Sequence, residues 1–355
     1  NENQYSHQWC RINVNGTYSA GVLAVTDGQT MSADKYAVTV ADSAIEVNFN
    51  ESDLSSSGIS TEGGNIQLEG SVSVSSQGLG ITARKGSINI ESGTASVETP
   101  RGTGVYVNNG TLTVNEKASL SVKPTMSENS WVNPPGVSGD VVTHYDGVVV
   151  EGGSLESNGT LNVTMRNGKQ NSYTSNMYDD LVINSFAVRV LNAETVTILN
   201  GSITNNVGGG VYVGGGTVTL GDKSTKTGPT VKTEGEEFGE TAYSGPMGDT
   251  NSNWKYYKNR SGGHAVEVNG GTLTIYGGLY KAALGNGILV RGGEATVLKG
   301  TFSGNDTQKY KEKYGGNLPA GPAAYYALNL LGGIVTVWDG TFVGNGSSAS
   351  VTGID

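Results

Sequence analysis

The stretch GILVRGGEATVLKGTFSGN, Gly287 to Asn305, returns as ALNLLGGIVTVWDGTFVGN over Ala327 to Asn345. A shorter version, AVEVNGGTLTIYGGLYKA, precedes both over Ala265 to Ala282. Working outward from these copies, the first inward-looking apolar residue of each falls at Val38, Ile59, Ile81, Val105, Val148, Val188, Val211, Val266, Ile288 and Leu328. The steps are 21, 22, 24, 43, 40, 23, 55, 22 and 40 residues, so a basic period of 21 to 24 is interrupted four times. A repeat of that length is the mark of a solenoid.

Within each copy the apolar residues alternate with period two. In VYVNNGTLTV, residues Val105, Val107, Leu112 and Val114 share one side, and Tyr106, Thr111 and Thr113 the other. Short strands are separated by glycine pairs such as Gly63-Gly64, Gly152-Gly153, Gly270-Gly271, Gly292-Gly293 and Gly332-Gly333. A further apolar pair follows another glycine, as at Gly300-Thr301-Phe302 and Gly340-Thr341-Phe342. Three strands and three bends make one coil, and coils stacked at about 4.8 Å pair each strand with its copies above and below. Ten coils span roughly 50 Å at that spacing. Parallel crossovers wind right-handed by default. Thr113, Thr197, Thr219, Thr274, Thr296 and Thr336 should form one outward column, and Asn206, Asn305 and Asn345 recur after the third strand. No segment sustains helical periodicity over three turns.

Composition agrees with an extended scaffold. Hydrophobic residues make up 35% of the 355 and glycine reaches 55, a thin apolar supply for one globular core of that length. The net charge of -10 argues against nucleic acid or an anionic membrane surface as partner. The single cysteine, Cys10, rules out an internal disulfide framework. No apolar run is long enough to span a bilayer, so no membrane insertion is expected within this chain.

These repeats resemble the right-handed parallel β-helix proteins of the pectate-lyase-like (pectin lyase-like) superfamily. More narrowly, they resemble bacterial surface and secreted β-solenoids of the adhesin or carbohydrate-binding type, over about Ala37 to Asn345. The resemblance implies an all-β, single-stranded right-handed parallel β-helix of about ten rungs. Residues 1–36 would form an N-terminal cap or irregular first rung, and 37–355 the β-helix. It also implies an extracellular or cell-surface location in a bacterium. The matching residues are all scaffold, so function has to be read from what interrupts them.

The interruptions lie near 123–146, 164–186, 232–264 and 306–326, each after a third strand and before the next first strand. Loops at one phase leave one edge of a solenoid and gather on one side, the common place for a binding surface. They are rich in aromatic residues, among them Trp131, Tyr145, Tyr173, Tyr178, Trp254, Tyr256, Tyr257, Tyr310 and Tyr314. Flat rings beside Asn, Asp and Lys suit sugar C–H faces and hydroxyls; the same rings could instead pin the loops to the solenoid wall. The expected partner is a polysaccharide, or a surface protein of a host or neighbour.

Catalytic constellations are thin. A lyase of the resembled superfamily would need an acidic calcium site and a Lys or Arg base on the first-strand face. The outward column there, read as Thr39, Ser60, Thr82, Tyr106, Val149, Arg189, Tyr212, Glu267, Leu289 and Asn329, holds only Arg189 and Glu267 as charges. A glycoside hydrolase needs two carboxylates roughly 5–10 Å apart; Asp140 with Asp146, or Asp179 with Asp180, are the candidates. His144 and His264 end insertions and could serve as acid–base groups. No cofactor is expected. Calcium is the one ion for which the acidic run Glu234, Glu236, Glu237 and Glu240 offers ligands of the right type. The leading expectation is a non-enzymatic binding protein. The alternatives are a polysaccharide lyase or glycoside hydrolase using the same loops, and a spacer that binds nothing.

Overall fold

The structure, a computed structural model, describes residues 10–15, 20–25, 38–48, 57–99, 102–126, 146–167, 185–205, 208–233, 263–282, 285–304, 326–344 and 347–351. All regular structure among these residues is β. Thirty strands, β1 (Cys10–Asn15) to β30 (Ser347–Val351), form a sheet of ten and a sheet of twenty.

One coil shows the pattern. β11 (Val105–Asn108) bends into β12 (Thr111–Val114), which bends into β13 (Ala118–Met126). Each pairs in parallel with strands one coil away: Val105 lies against Ile81 and Val148, and Leu112 against Ile88 and Leu155. The ten-stranded sheet collects the first strand of every coil. Its members are β2 (Ala20–Val25), β5 (Ser57–Glu62), β8 (Leu79–Arg84), β11, β14 (Val148–Glu151), β16 (Phe186–Leu191), β18 (Gly209–Val213), β21 (Val266–Val268), β24 (Ile288–Val290) and β27 (Leu328–Leu330). The larger sheet holds the second and third columns. They merge because β15 (Ser154–Asn167) and β17 (Ala193–Asn205) each run through both, with an irregularity after Ser157 where the chain turns between them. The result is a parallel, β-helix-like stack.

The register corrects the start of the sequence alignment. Val38 pairs with Ile66 and belongs to the second column. The residue paired with Ile59 is Val22, and the one paired with Ser60 is Leu23, not Thr39. The error was one of phase: VTVA at 38–41 carries the same alternation as a first strand, and period two does not say which side of the coil a strand occupies. With Val22 in place, the first column has ten members.

The core is a set of ladders. Ile59, Ile81, Val105, Val148, Val188, Val211, Val266 and Ile288 form the first, all fully buried. Such a side chain contributes about 1.5–3 kcal/mol on leaving water. In the third column the interior changes from aliphatic to aromatic. Tyr280, Phe302 and Phe342 stack at centroid distances of 4.9 and 5.1 Å and interplanar angles of 10° and 16°. Tyr280 is wholly buried and donates its hydroxyl hydrogen to Gly277 O at 2.9 Å; burial pushes its phenol pKa up, so it stays a donor. Outside, Thr197, Thr219, Thr274, Thr296 and Thr336 stand in register, but Glu156 separates them from Thr113. Asn206, Asn305 and Asn345 lie outside the described residues.

One position is restricted by packing. Immediately before the first-strand ladder stand Gly58, Gly80, Gly104, Gly147, Ala187, Gly210, Ala265, Gly287 and Ala327. A Cβ at Gly80 would lie 2.1 Å from Val97 Cγ1, and one at Gly104 would lie 2.2 Å from Val122 Cγ1. The third-strand valine fills this corner of the coil and leaves no room for a Cβ at Gly80 or Gly104.

Candidate functional face

The first-strand sheet turns one side to the core and the other outward. Its outward column reads Ser60, Thr82, Tyr106, Val149, Arg189, Tyr212, Glu267, Leu289 and Asn329. Ser60, Thr82, Val149 and Leu289 are buried although they lie on the side away from the core. This is also the face beside which every interruption rejoins the stack. The chain leaves the third column at Met126, Asn167, Thr233 and Gly304, and returns before the first column at Asp146, Ser185, Gly263 and Tyr326.

Polar partners on this face form three groups. In the first, Arg84 pairs with Glu62 at 3.3 Å and lies 6.0 Å from the Tyr106 ring centre. Tyr106 donates its hydroxyl hydrogen to Glu151 Oε2 at 2.5 Å and accepts from Asn108 Nδ2 at 2.7 Å. Burial, then the bond to Glu151, raises the Tyr106 pKa above that of an ordinary phenol.

The second group is the most enclosed. Asp146 is 1% exposed. Its Oδ2 accepts from Arg189 Nε at 2.6 Å, and its Oδ1 from Arg189 Nη2 at 3.2 Å and from the Phe186 backbone N–H at 2.7 Å. The guanidinium carbon sits 4.8 Å from the Phe186 ring centre and 5.4 Å from that of Tyr212. The arginine is thus held bidentate by one carboxylate and flanked by two rings. Asp146 thereby holds the chain re-entry at Phe186; Asp140, its candidate carboxylate partner, lies outside the described residues.

The third group surrounds His264, which is 4% exposed. Its Nδ1 accepts from the Asn286 backbone N–H at 2.9 Å, and Asn286 Nδ2 lies 3.2 Å away. Asn286 Oδ1 in turn accepts from the Tyr326 backbone N–H at 2.8 Å. Burial, and secondarily Arg291, lower the His264 pKa to about 4, so the ring is neutral near pH 7 with its proton on Nε2. Arg291 Nε meets Glu267 Oε1 at 3.0 Å.

One device therefore recurs at this corner. A side-chain acceptor in one coil, Asp146, His264 or Asn286, holds the backbone N–H of Phe186, Asn286 or Tyr326 in the next. Thr233, at the end of β20 (Thr230–Thr233), adds a hydroxyl bond to Gly263 O. These bonds fix where the chain re-enters the stack. Sequence reasoning noticed Asp146, Arg189 and His264 but weighed them as chemistry. The position of Asp146 and His264 just before a first strand was the signal for clamping.

Trp131, Tyr145, Tyr173, Tyr178, Trp254, Tyr256, Tyr257, Tyr310 and Tyr314 all lie outside the described residues, as do His144, Asp140, Asp179, Asp180 and the acidic run from Glu234 to Glu240. Among the described residues no group of three His, Cys, Asp or Glu side chains could hold a metal ion, and no helix is long and apolar enough to cross a membrane. Comparison with family models, with curated proteins and with solved structures returns no match.

Proposed function

We propose that the chain is a right-handed parallel β-helix of the pectin-lyase-like kind that works as a non-enzymatic, adhesin-like protein on a bacterial surface, binding a glycan through its aromatic-rich interruptions. One observation carries this reading: all four interruptions rejoin the stack at the same corner, each next to the outer face of the first-strand sheet. Sequences that share a corner of a stacked scaffold share a side of the molecule, and they hold rings and amides in the mixture that sugars need.

Two features favour binding over cleavage. The buried carboxylate nearest the interruptions, Asp146, is held by Arg189 and a backbone N–H. The second-column threonines Thr197, Thr219 and Thr274 are stacked in register, as in a scaffold. The test is a triple replacement of Trp254, Tyr256 and Tyr257 by alanine, assayed by affinity electrophoresis against whichever polysaccharide retards the parent chain. Retardation should fall at least tenfold in apparent affinity, with the far-ultraviolet β signal unchanged. A folded triple variant with parental affinity would remove these residues from the site.

A further inference from the structure

The side-chain acceptors at the re-entry corner are not chemically equivalent. Asp146 holds the Phe186 N–H in the earlier coil, and Asn286 holds the Tyr326 N–H in the later one. Between them His264 does the same work for the Asn286 N–H. An amide oxygen accepts at every pH near neutrality. An imidazole nitrogen accepts only while it is bare.

We propose that His264 is an acid-released latch: protonation of its Nδ1 removes the acceptor for the Asn286 backbone and loosens the corner at which the chain re-enters the stack at Gly263 and at Tyr326. Three bonds in series support this. Thr233 bonds to Gly263 O, Asn286 N–H bonds to His264 Nδ1, and Tyr326 N–H bonds to Asn286 Oδ1. Opening the middle bond places an imidazolium N–H against two donors, the Asn286 backbone N–H and its Nδ2, inside a buried pocket. Unpaired buried donors are costly, so the corner must separate to let water in.

The surrounding charges do not relieve the imidazolium. On the neighbouring strands the titratable side chains are Tyr212 on β18, Lys232 on β20, Glu267 on β21 and Lys281 on β23 (Leu279–Ala282), with Arg291 just after β24. Arg291 acts on the ring and disfavours a second positive charge. Glu267, the one carboxylate in this set, is engaged with Arg291 at 3.0 Å.

The test is hydrogen–deuterium exchange of the 355-residue chain from pH 7 to pH 4, corrected for intrinsic exchange and read at Asn286 and Tyr326. Depression of the pKa from 6.5 to about 4 sets the size of the effect. Because the closed site is only half protonated at pH 4, protection at these amides should fall by about 100-fold across the window. Phe186, held by Asp146 in the same geometry, serves as the internal reference and should keep its protection down to pH 5. His264→Asn installs the acceptor that the next coil already uses at this corner, so it should preserve protection at pH 7 and flatten the acid loss. His264→Leu, which has no acceptor, should show low protection at every pH. A pH-independent Asn286 amide in the parent chain would overturn the proposal, and so would an acid loss in His264→Asn equal to that of the parent.

Discussion

Replacing Asp146 with alanine should be far more damaging than its place beside an interruption suggests. The carboxylate is 1% exposed, and its partner side chain, Arg189, is 11% exposed. Removal deletes three hydrogen bonds at once and takes away a carboxylate that pairs with a guanidinium held between Phe186 and Tyr212. Breaking a buried pair by removing one partner costs about 3–5 kcal/mol, most of it the stranded charge and not the lost attraction. That corresponds to roughly two to three and a half orders of magnitude in the local folding equilibrium. The same logic predicts rescue. Asp146→Asn with Arg189→Met leaves a neutral amide to accept the Phe186 N–H and an apolar side chain between the two rings, so the double variant should recover most of the loss. The assay is urea unfolding at pH 7 for the parent, both single variants and the double, with exchange at Phe186 as a local readout. A coupling energy near zero, or a loss under 1 kcal/mol for Asp146→Ala, would refute the argument that this cluster clamps the re-entry.

Four further outcomes follow from the packing and the titration. Ser157 stands in a ladder between Val114 and Ile198, wholly buried with an unpartnered hydroxyl, so Ser157→Ala should stabilise by about 1–2 kcal/mol in the same urea assay. Phe302→Ala removes the middle of the Tyr280–Phe302–Phe342 stack and should cost about 3–5 kcal/mol, seen as a lower thermal midpoint. Gly201 has φ +133° and its missing Cβ would sit 1.8 Å from Leu161 O, so Gly201→Ala should lose more than about 1 kcal/mol by urea titration. His264 titrates below its unfolded value, so the unfolded chain takes the proton first. Its contribution is full above pH 6.5 and is lost as pH falls toward 4, about 3 kcal/mol in all, measurable as the parent's pH–stability slope minus that of His264→Asn.

Much of the scaffold was legible because a stacked parallel fold writes each contact twice. Ile288 must match Val266 below and Leu328 above, so the alternation repeats at every coil and its period survives long interruptions. The phase at the N-terminal end was not legible. Val38 opens an alternating run and Val22 a continuous apolar one, and only pairing with Ile66 or Ile59 separates second strand from first. The small residue before each first-strand ladder position was present in the sequence as GV, GI, AV and AL pairs. The re-entry clamps were hidden for a different reason. Asp146 and Phe186 are 40 residues apart, and an Asp, a His and an Asn do the same work, so no residue type repeats. Aromatic residues marked the interruptions by composition alone, which points to a surface but gives no arrangement.

The most direct measurement of the central claim is affinity electrophoresis of the 355-residue chain through gels cast with soluble plant and host polysaccharides, stained afterwards for polymer. The account predicts retardation in at least one gel with the polymer around the band intact. A cleared zone would make the protein a lyase or hydrolase, and migration unchanged in every gel would contradict glycan binding.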